Sequence, residues 1–255
     1  MWVAVVNERH IDFKQVFNLR DLGGYAAAGG RTVRWRTIYR SAEHQRMSDE
    51  EAARAREQLG LRTVIDFRSD GEANHPAGLG RLADRPAVRY HLPMGNARSK
   101  YEARERGEWR PNYVAMLEHQ GPLWARATKL LAHEDAYPAV FHCVTGKDRT
   151  GVFAALLLDL LGVDHEVIVE DYGESQQHMD LLVERMRARG TIGPDEVINP
   201  ALGVSPPAMV EMLEALVAQH GDARGYLRGH GVSDEAMDRI AELLLEDRDG
   251  EEDGA

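Results

Sequence analysis

The chain of 255 residues contains a single cysteine, at position 143. An internal disulfide framework is thereby excluded, and a lone thiol fits a reducing compartment. A basic excess is missing too, since 31 lysines and arginines stand against 42 aspartates and glutamates, for a formal net charge of −11. With no surplus of cations to release counterions from a phosphate backbone, nucleic acid is not expected as a partner. No run approaches the ~20 apolar residues of a membrane span, so stable membrane insertion is not expected either. The apolar start Trp2–Val6 is too short for the core of a secretory signal and has no basic flank before it. A cytoplasmic location is the expectation, although export without a leader leaves no such mark. Lysine itself is scarce, at positions 14, 100, 129 and 147 only, which points to a GC-rich bacterial genome rather than to chemistry. No internal repeat is visible, and nothing in the sequence speaks to oligomeric state.

What is present describes an ordinary globule. Hydrophobic residues make up 43% of the chain and charged residues 29%, which is ample material for a core. The length suits one large domain or two small ones. A single domain over residues 1–245 is the preferred reading, with residues 164–245 forming a helical part. Residues 246–255 are acidic and glycine-bearing and read as a disordered tail.

Val3–Val6, Arg31–Trp35 and Thr37–Tyr39 are short apolar or alternating runs. With Gly23-Gly24 and Gly29-Gly30 as turns, they make a hairpin-rich entry. Ser48-Asp49-Glu50-Glu51 is a capping box, opening a helix that Gly60 ends. Thr63–Phe67 reads as a buried parallel strand and Val88–Leu92 as a weaker one. A helix is expected over Leu123–His133, a strand over Pro138–His142, and a helix apolar nearly all round over Arg149–Leu161. This alternation predicts an α/β fold with a central, mainly parallel sheet flanked by helices. From Asp164 onward the signals are helical: Asp164–Tyr172, Met179–Arg189, Ser205-Pro206 leading into Met209–His220, and Ala236–Leu245 capped by Ser233. Gly190–Ser205 is the longest irregular stretch. It is either a surface connection or, together with residues from 164 onward, a lid over a site.

The chemistry concentrates in Phe141–Gly151. The only cysteine stands where a strand ends, and a tight loop leads from it into a helix starting at Arg149 or Thr150. Such a loop turns successive backbone N–H groups inward, next to the positive end of a helix dipole, and so is built to hold an oxyanion. Val144, Thr145, Gly146 and Lys147 would line it, with Gly146 and Gly151 allowing the sharp turn and the close approach of the helix. Arg149 can grip the same anion with a bidentate fork, a task for which Lys is poorly shaped. The helix end, the amides and Arg149 all favour a Cys143 thiolate. A thiolate beneath a bound phosphate is arranged for phosphoryl transfer to sulfur. Thr150 is placed to hydrogen-bond that sulfur as it leaves, and His142 to hold the loop rather than act as a base. The Gly146-Lys147 pair is not a nucleotide-binding loop, because Asp148 follows where Ser or Thr is required and the earlier glycine is absent.

The frame His142-Cys143-x5-Arg149-Thr150-Gly151 is similar to the signature of the cysteine-dependent protein tyrosine phosphatases. With Lys147-Asp148 inside the loop, it resembles the bacterial tyrosine and dual-specificity phosphatases whose best-known members are secreted by mycobacteria. Asn18-Leu19-Arg20-Asp21-Leu22-Gly23-Gly24, Tyr39-Arg40-Ser41 and Val64–Ser69 with Glu72 follow in that family's order, so the resemblance spans residues 17–172. It implies the cysteine-phosphatase fold and a phosphocysteine mechanism that needs neither cofactor nor metal. It also implies a substrate with phosphotyrosine in a protein, or else phosphoserine, phosphothreonine or a phosphoinositide.

A leaving phenoxide or alkoxide needs a proton, so a carboxylic acid must stand close by. Asp148 is the family-like choice. Asp66, near the end of a predicted parallel strand where ligand crevices form, is an alternative, unless it is ion-paired with Arg68. Asp21, beside Arg20, is the third. The Trp-Pro-Asp pattern that supplies this acid in other tyrosine phosphatases is absent, which favours Asp148. Lys147 is expected to add charge at the mouth of the site, as suits a multiply phosphorylated head group. Arg98, Lys100, Arg104, Arg106 and Arg110 could face a membrane, but the interspersed Glu102, Glu105 and Glu108 read better as a solvated face. Two rivals remain, a rhodanese-like sulfur carrier and a non-catalytic phosphate-binding module.

Overall fold

A computed structural model describes residues 9–74, 78–95, 101–103, 109–193, 195–197 and 202–248. The expected strand Val3–Val6, the basic positions Arg98, Lys100, Arg104 and Arg106, and residues 249–255 of the acidic tail lie outside the described residues. The elements in chain order are β1 (Arg20–Asp21), β2 (Arg31–Val33), β3 (Ile38–Ser41), α1 (Asp49–Leu59), β4 (Thr63–Asp66), α2 (Asp70–Ala73), β5 (Val88–His91), β6 (Tyr101–Ala103), β7 (Trp109–Pro111), α3 (Tyr113–Leu130), β8 (Ala139–His142), α4 (Asp148–Leu160), α5 (His165–Gly173), α6 (Ser175–Ala188), α7 (Pro206–His220), α8 (Ala223–Gly229), α9 (Asp234–Leu244) and β9 (Leu245–Asp247).

The central sheet runs β1-β3-β8-β4-β5. Its last four strands are parallel, and β1 adds an antiparallel edge. The register brings Ser41, His142, Asp66 and His91 level at the carboxyl ends of the four parallel strands, where ligands bind in open α/β sheets. β8 is the middle strand, so the loop that leaves it has a neighbour on each side.

Strand residues alternate between two cores, as the pleat dictates. Tyr39, Val64 and Val140 face α1, with Ala55 and Leu59. Ile38, Ile65 and Phe141 face the helical part of the chain, where α4 is buried from Asp148 to Leu158 and Trp124, Tyr172, Met209 and Tyr226 pack around it. Burial on both faces is why these strands read as continuous apolar runs.

The capping box of α1 forms as expected, and Gly60 ends the helix in the left-handed region at φ 57°. α3 starts well before Leu123 and carries Pro122 inside it. Proline signals a helix boundary in sequence, but burial of Tyr113, Met116 and Leu117 ahead of it outweighs the lost hydrogen bond. The tail boundary at 246 is likewise corrected. Glu246 and Asp247 lie in β9, opposite Thr32 and Arg31 of β2, because backbone pairing at an edge needs no apolar side chains. Finally, α5 buries Ile168, Asp171 and Tyr172. Among the described residues no helix is long and apolar enough to cross a membrane.

Candidate active site

The loop from Cys143 to Lys147 runs between β8 and α4. Each carbonyl along it is engaged from outside the loop or by the helix it enters. His142 Nδ1 lies 3.1 Å from the Cys143 oxygen, and Glu43 N–H donates to Val144 O at 2.9 Å. Asn18 Nδ2 donates to Thr145 O at 3.2 Å and to Gly146 O at 2.9 Å. Arg40 Nη2 also donates to Gly146 O at 2.9 Å, and Gly151 N–H donates to Lys147 O at 2.8 Å. Carbonyls engaged in this way are what a loop needs if its N–H groups are to turn to the inner side, where an anion would sit. Gly146 has φ 67°, and a Cβ there would meet the Ser41 carbonyl oxygen at 2.5 Å. Gly151 serves packing instead: a Cβ would touch the Tyr172 ring at 3.0 Å.

Cys143, Arg149 and Thr150 are buried around this loop. Arg149 donates from Nη1 to Glu72 Oε2 at 2.6 Å and from Nη2 to Glu72 Oε1 at 3.1 Å, with Nη1 also 3.1 Å from Phe67 O. Burial alone would weaken the guanidinium as a base, but the neighbouring Cys143 and Glu72 outweigh it and hold Arg149 firmly cationic. Among the described residues its Nε and the Thr150 hydroxyl find no hydrogen-bond partner. Asp148 opens α4 and accepts on Oδ1 from Lys147 Nζ at 2.8 Å and from Tyr113 Oη at 2.6 Å. Lys147 is only 1% exposed. Its ammonium is thus folded inward onto Asp148 and does not stand at the mouth of the site.

A buried ionic hub carries the loop from below. Arg20 Nε pairs with Asp171 Oδ1 at 2.9 Å, Arg40 Nη1 pairs with Asp171 Oδ2, and Arg20 also reaches Asn18 Oδ1. Tyr25 Oη donates to the same Asp171 at 3.1 Å. Burial would raise the Asp171 pKa, but the two arginines hold it well below the usual carboxylate range. Arg20 therefore supports Asn18 and Asp171 rather than facing the anion cradle.

The other acid candidates have different occupations. Asp66 is fully buried and bonded by Arg68 Nη2 at 2.8 Å and Arg89 Nη2 at 2.7 Å. Burial would raise its pKa, but the charge and hydrogen bonds of Arg68 beside it more than offset desolvation and keep it ionised. The Asp66–Arg68 ion pair is thus what forms. Asp21 accepts from the backbone N–H of Gly23 at 2.8 Å and Arg36 at 2.7 Å, fixing a turn. His142 is linked to His44 across 3.3 Å, and His44 Nδ1 accepts from Leu82 N–H at 3.0 Å. That arrangement puts the His44 proton on Nε2 and the His142 proton on Nδ1, where it donates to Cys143 O. Burial pushes the His142 pKa down to about 4, so the ring is neutral near pH ~7.

Several contributors carried no chemical role in the sequence reading. Glu72 was legible in principle, since Ser69-Asp70-Gly71-Glu72 has capping-box spacing, and the box forms in α2. Asn18 and Arg40 lie in the runs that carried the family resemblance. Asp171, Tyr113, Tyr172 and His44 left no signal, because each acts through contacts distant in sequence. Arg110, the described member of the basic group, lies 3.6 Å from Glu211.

Residues 11–246 match the tyrosine phosphatase family. A protein from Cupriavidus necator, carried under a provisional tyrosine-protein phosphatase name, is 33% identical over 237 residues, covering 88% of this chain and 85% of its own. The triple specificity protein phosphatase of Mycobacterium tuberculosis is 26% identical over 273 residues, covering 90% of this chain and 96% of its own. Among solved structures, the catalytic core of Siw14 aligns with a TM-score of 0.41 at 16% identity, over 72% of this chain and 98% of that one.

Proposed function

The chain belongs to the tyrosine phosphatase family, and from that premise we propose that Cys143, Asp148 and Arg149 hydrolyse phosphotyrosine in proteins through a phosphocysteine intermediate. The Cys143 thiolate attacks phosphorus in line, forming the P–S bond as the P–O bond to the tyrosyl oxygen breaks. Arg149 and the loop amides of residues 144–149 bind the equatorial oxygens and follow their charge into the transition state. The Asp148 proton passes to the leaving phenoxide. Water then cleaves the P–S bond, releasing phosphate, while the Thr150 hydroxyl bonds the departing sulfur.

The observation that carries this reading is the outward engagement of the loop carbonyls by His142, Glu43, Asn18 and Arg40. An oxyanion cradle requires that orientation, and it sits beside a buried cysteine and a clamped arginine. The Asp66 ion pair and the Asp21 turn support Asp148 as the acid. The family match over residues 11–246 supports one phosphatase domain across most of the chain. The name of the mycobacterial relative, a triple specificity phosphatase, supports including phosphoserine and phosphothreonine among the substrates.

The test is Cys143→Ser. The variant should lose all turnover of a phosphotyrosine peptide while still binding it. Persistent turnover, or sulfur transfer from thiosulfate by the unaltered protein with no phosphatase activity, would overturn the reading.

A further inference from the structure

Three hydrogen bonds in series connect the start of α7 to Asp148. Ser205 N–H donates to Tyr172 Oη at 3.2 Å, the Tyr172 and Tyr113 hydroxyls are 2.7 Å apart, and Tyr113 Oη donates to Asp148 Oδ1 at 2.6 Å. Both rings are 1% exposed and meet edge to face at 5.7 Å. Because the Tyr113 proton is committed to Asp148, Tyr172 must supply the proton between the two hydroxyls, so every donor in the series points toward the carboxylate. Burial beside Asp148 and Tyr172 also pushes the Tyr113 pKa well up, so the phenol remains a donor.

The two donors to Asp148 fall on the same oxygen. Lys147 Nζ and Tyr113 Oη both reach Oδ1, and among the described residues no hydrogen bond reaches Oδ2. We propose that Tyr113, backed by Tyr172, is a positioning residue for the proton donor: with Lys147 it holds Oδ1 as the acceptor oxygen of the carboxyl group and leaves Oδ2 to carry the proton. This inference rests on Asp148 being the acid. In the step itself the Oδ2–H bond breaks as the P–O bond to the leaving group breaks, and the proton goes to the leaving oxygen. The carboxylate left behind gains negative charge where Tyr113 and Lys147 already donate, so both contacts strengthen in the transition state without reorganisation. A series of donors aimed one way is also cooperative.

The experiment compares kcat/KM for two substrates, a phosphotyrosine peptide, whose leaving group needs a proton, and difluoromethylumbelliferyl phosphate, whose acidic leaving group departs without one. Tyr113→Phe should lower kcat/KM for the peptide about tenfold and change the aryl phosphate value little, a part of the ~100-fold or more that general acid catalysis supplies. Tyr172→Phe should show the same selectivity with a smaller loss. Asp148→Asn should show the full selective loss, and adding Tyr113→Phe to it should cost nothing further. Equal losses on both substrates, or none, in the tyrosine variants alongside a selective loss in Asp148→Asn would overturn the positioning role and leave the acid in place. An Asp148→Asn variant without leaving-group selectivity would overturn both.

Discussion

Arg149 and Glu72 form a two-pronged ion pair, with Nη1 2.6 Å from Oε2 and Nη2 3.1 Å from Oε1. Glu72 Oε2 also accepts from the Ser69 backbone N–H at 2.8 Å. One carboxylate therefore caps α2 and aims Arg149, the arginine proposed to hold the phosphoryl group.

Removing that aim should weaken catalysis without removing the charge. Glu72→Ala is expected to lower kcat/KM about tenfold, the scale of a lost hydrogen bond to a charged group. Arg149→Lys should cost more, because a point charge cannot replace the fork. Steady-state kinetics on a phosphotyrosine peptide checks both, and an Arg149→Lys enzyme as active as the parent would contradict the clamp.

Asp171→Asn removes the carboxylate that pairs with both Arg20 and Arg40 and leaves Glu174, 3.9 Å from Arg20 Nε, as the nearby counter-charge. A loss of about 3–5 kcal/mol in unfolding free energy is expected, as for breaking one side of a buried pair. Denaturant unfolding measures it. Catalysis should fall as well, since Arg40 holds the Gly146 carbonyl.

At Gly146 the difficulty is backbone against backbone. Alanine would have to adopt φ 67° and place Cβ 2.5 Å from the Ser41 carbonyl oxygen. A cost of about 2 kcal/mol or more is expected, together with loss of phosphate binding. Thermal unfolding and a phosphate titration would show it, and a Gly146→Ala enzyme of unchanged stability would refute the steric account.

Stability should fall on mild acidification. Burial pushes His44 well down and His142 and His178 down to about 4, whereas an unfolded histidine titrates at about 6.5. Between those values the unfolded chain binds more protons than the native one, so stability is lost as pH drops through that window. Asp66 and Asp171, held below the usual carboxylate range by their arginines, add their loss below about pH 4. Urea midpoints measured from about pH 7 to about pH 4 should decline steadily, and a flat profile would contradict the assignment.

How much of this was legible depended on how local the signal was. The strands around Ile65 and Phe141 announced themselves because both faces are buried. The early start of α3 did not, because Pro122 is a local warning that packing of Tyr113 and Met116 overrides. β9 was hidden because its partner β2 lies at the other end of the chain.

By itself the sequence determined the loop from Cys143 to Thr150. Cys143, the proposed nucleophile, Arg149 and the turn-making Gly146 fall within eight consecutive residues, so covalent connection alone sets their spacing. What only the tertiary structure decided is how the charges around that loop are used. Asp21, Asp66 and Asp148 are chemically alike carboxyl groups until Arg68 and, from the neighbouring strand β5, Arg89 take Asp66, the Arg36 turn takes Asp21, and Tyr113 of α3, bonded in turn to Tyr172 of α5, reaches Asp148. The physical reason is that each carboxylate answers to the donors that folding brings within about 3 Å, and beside near neighbours such as Arg68 and Lys147 these include Arg89, Arg36 and Tyr113 from other segments of the chain.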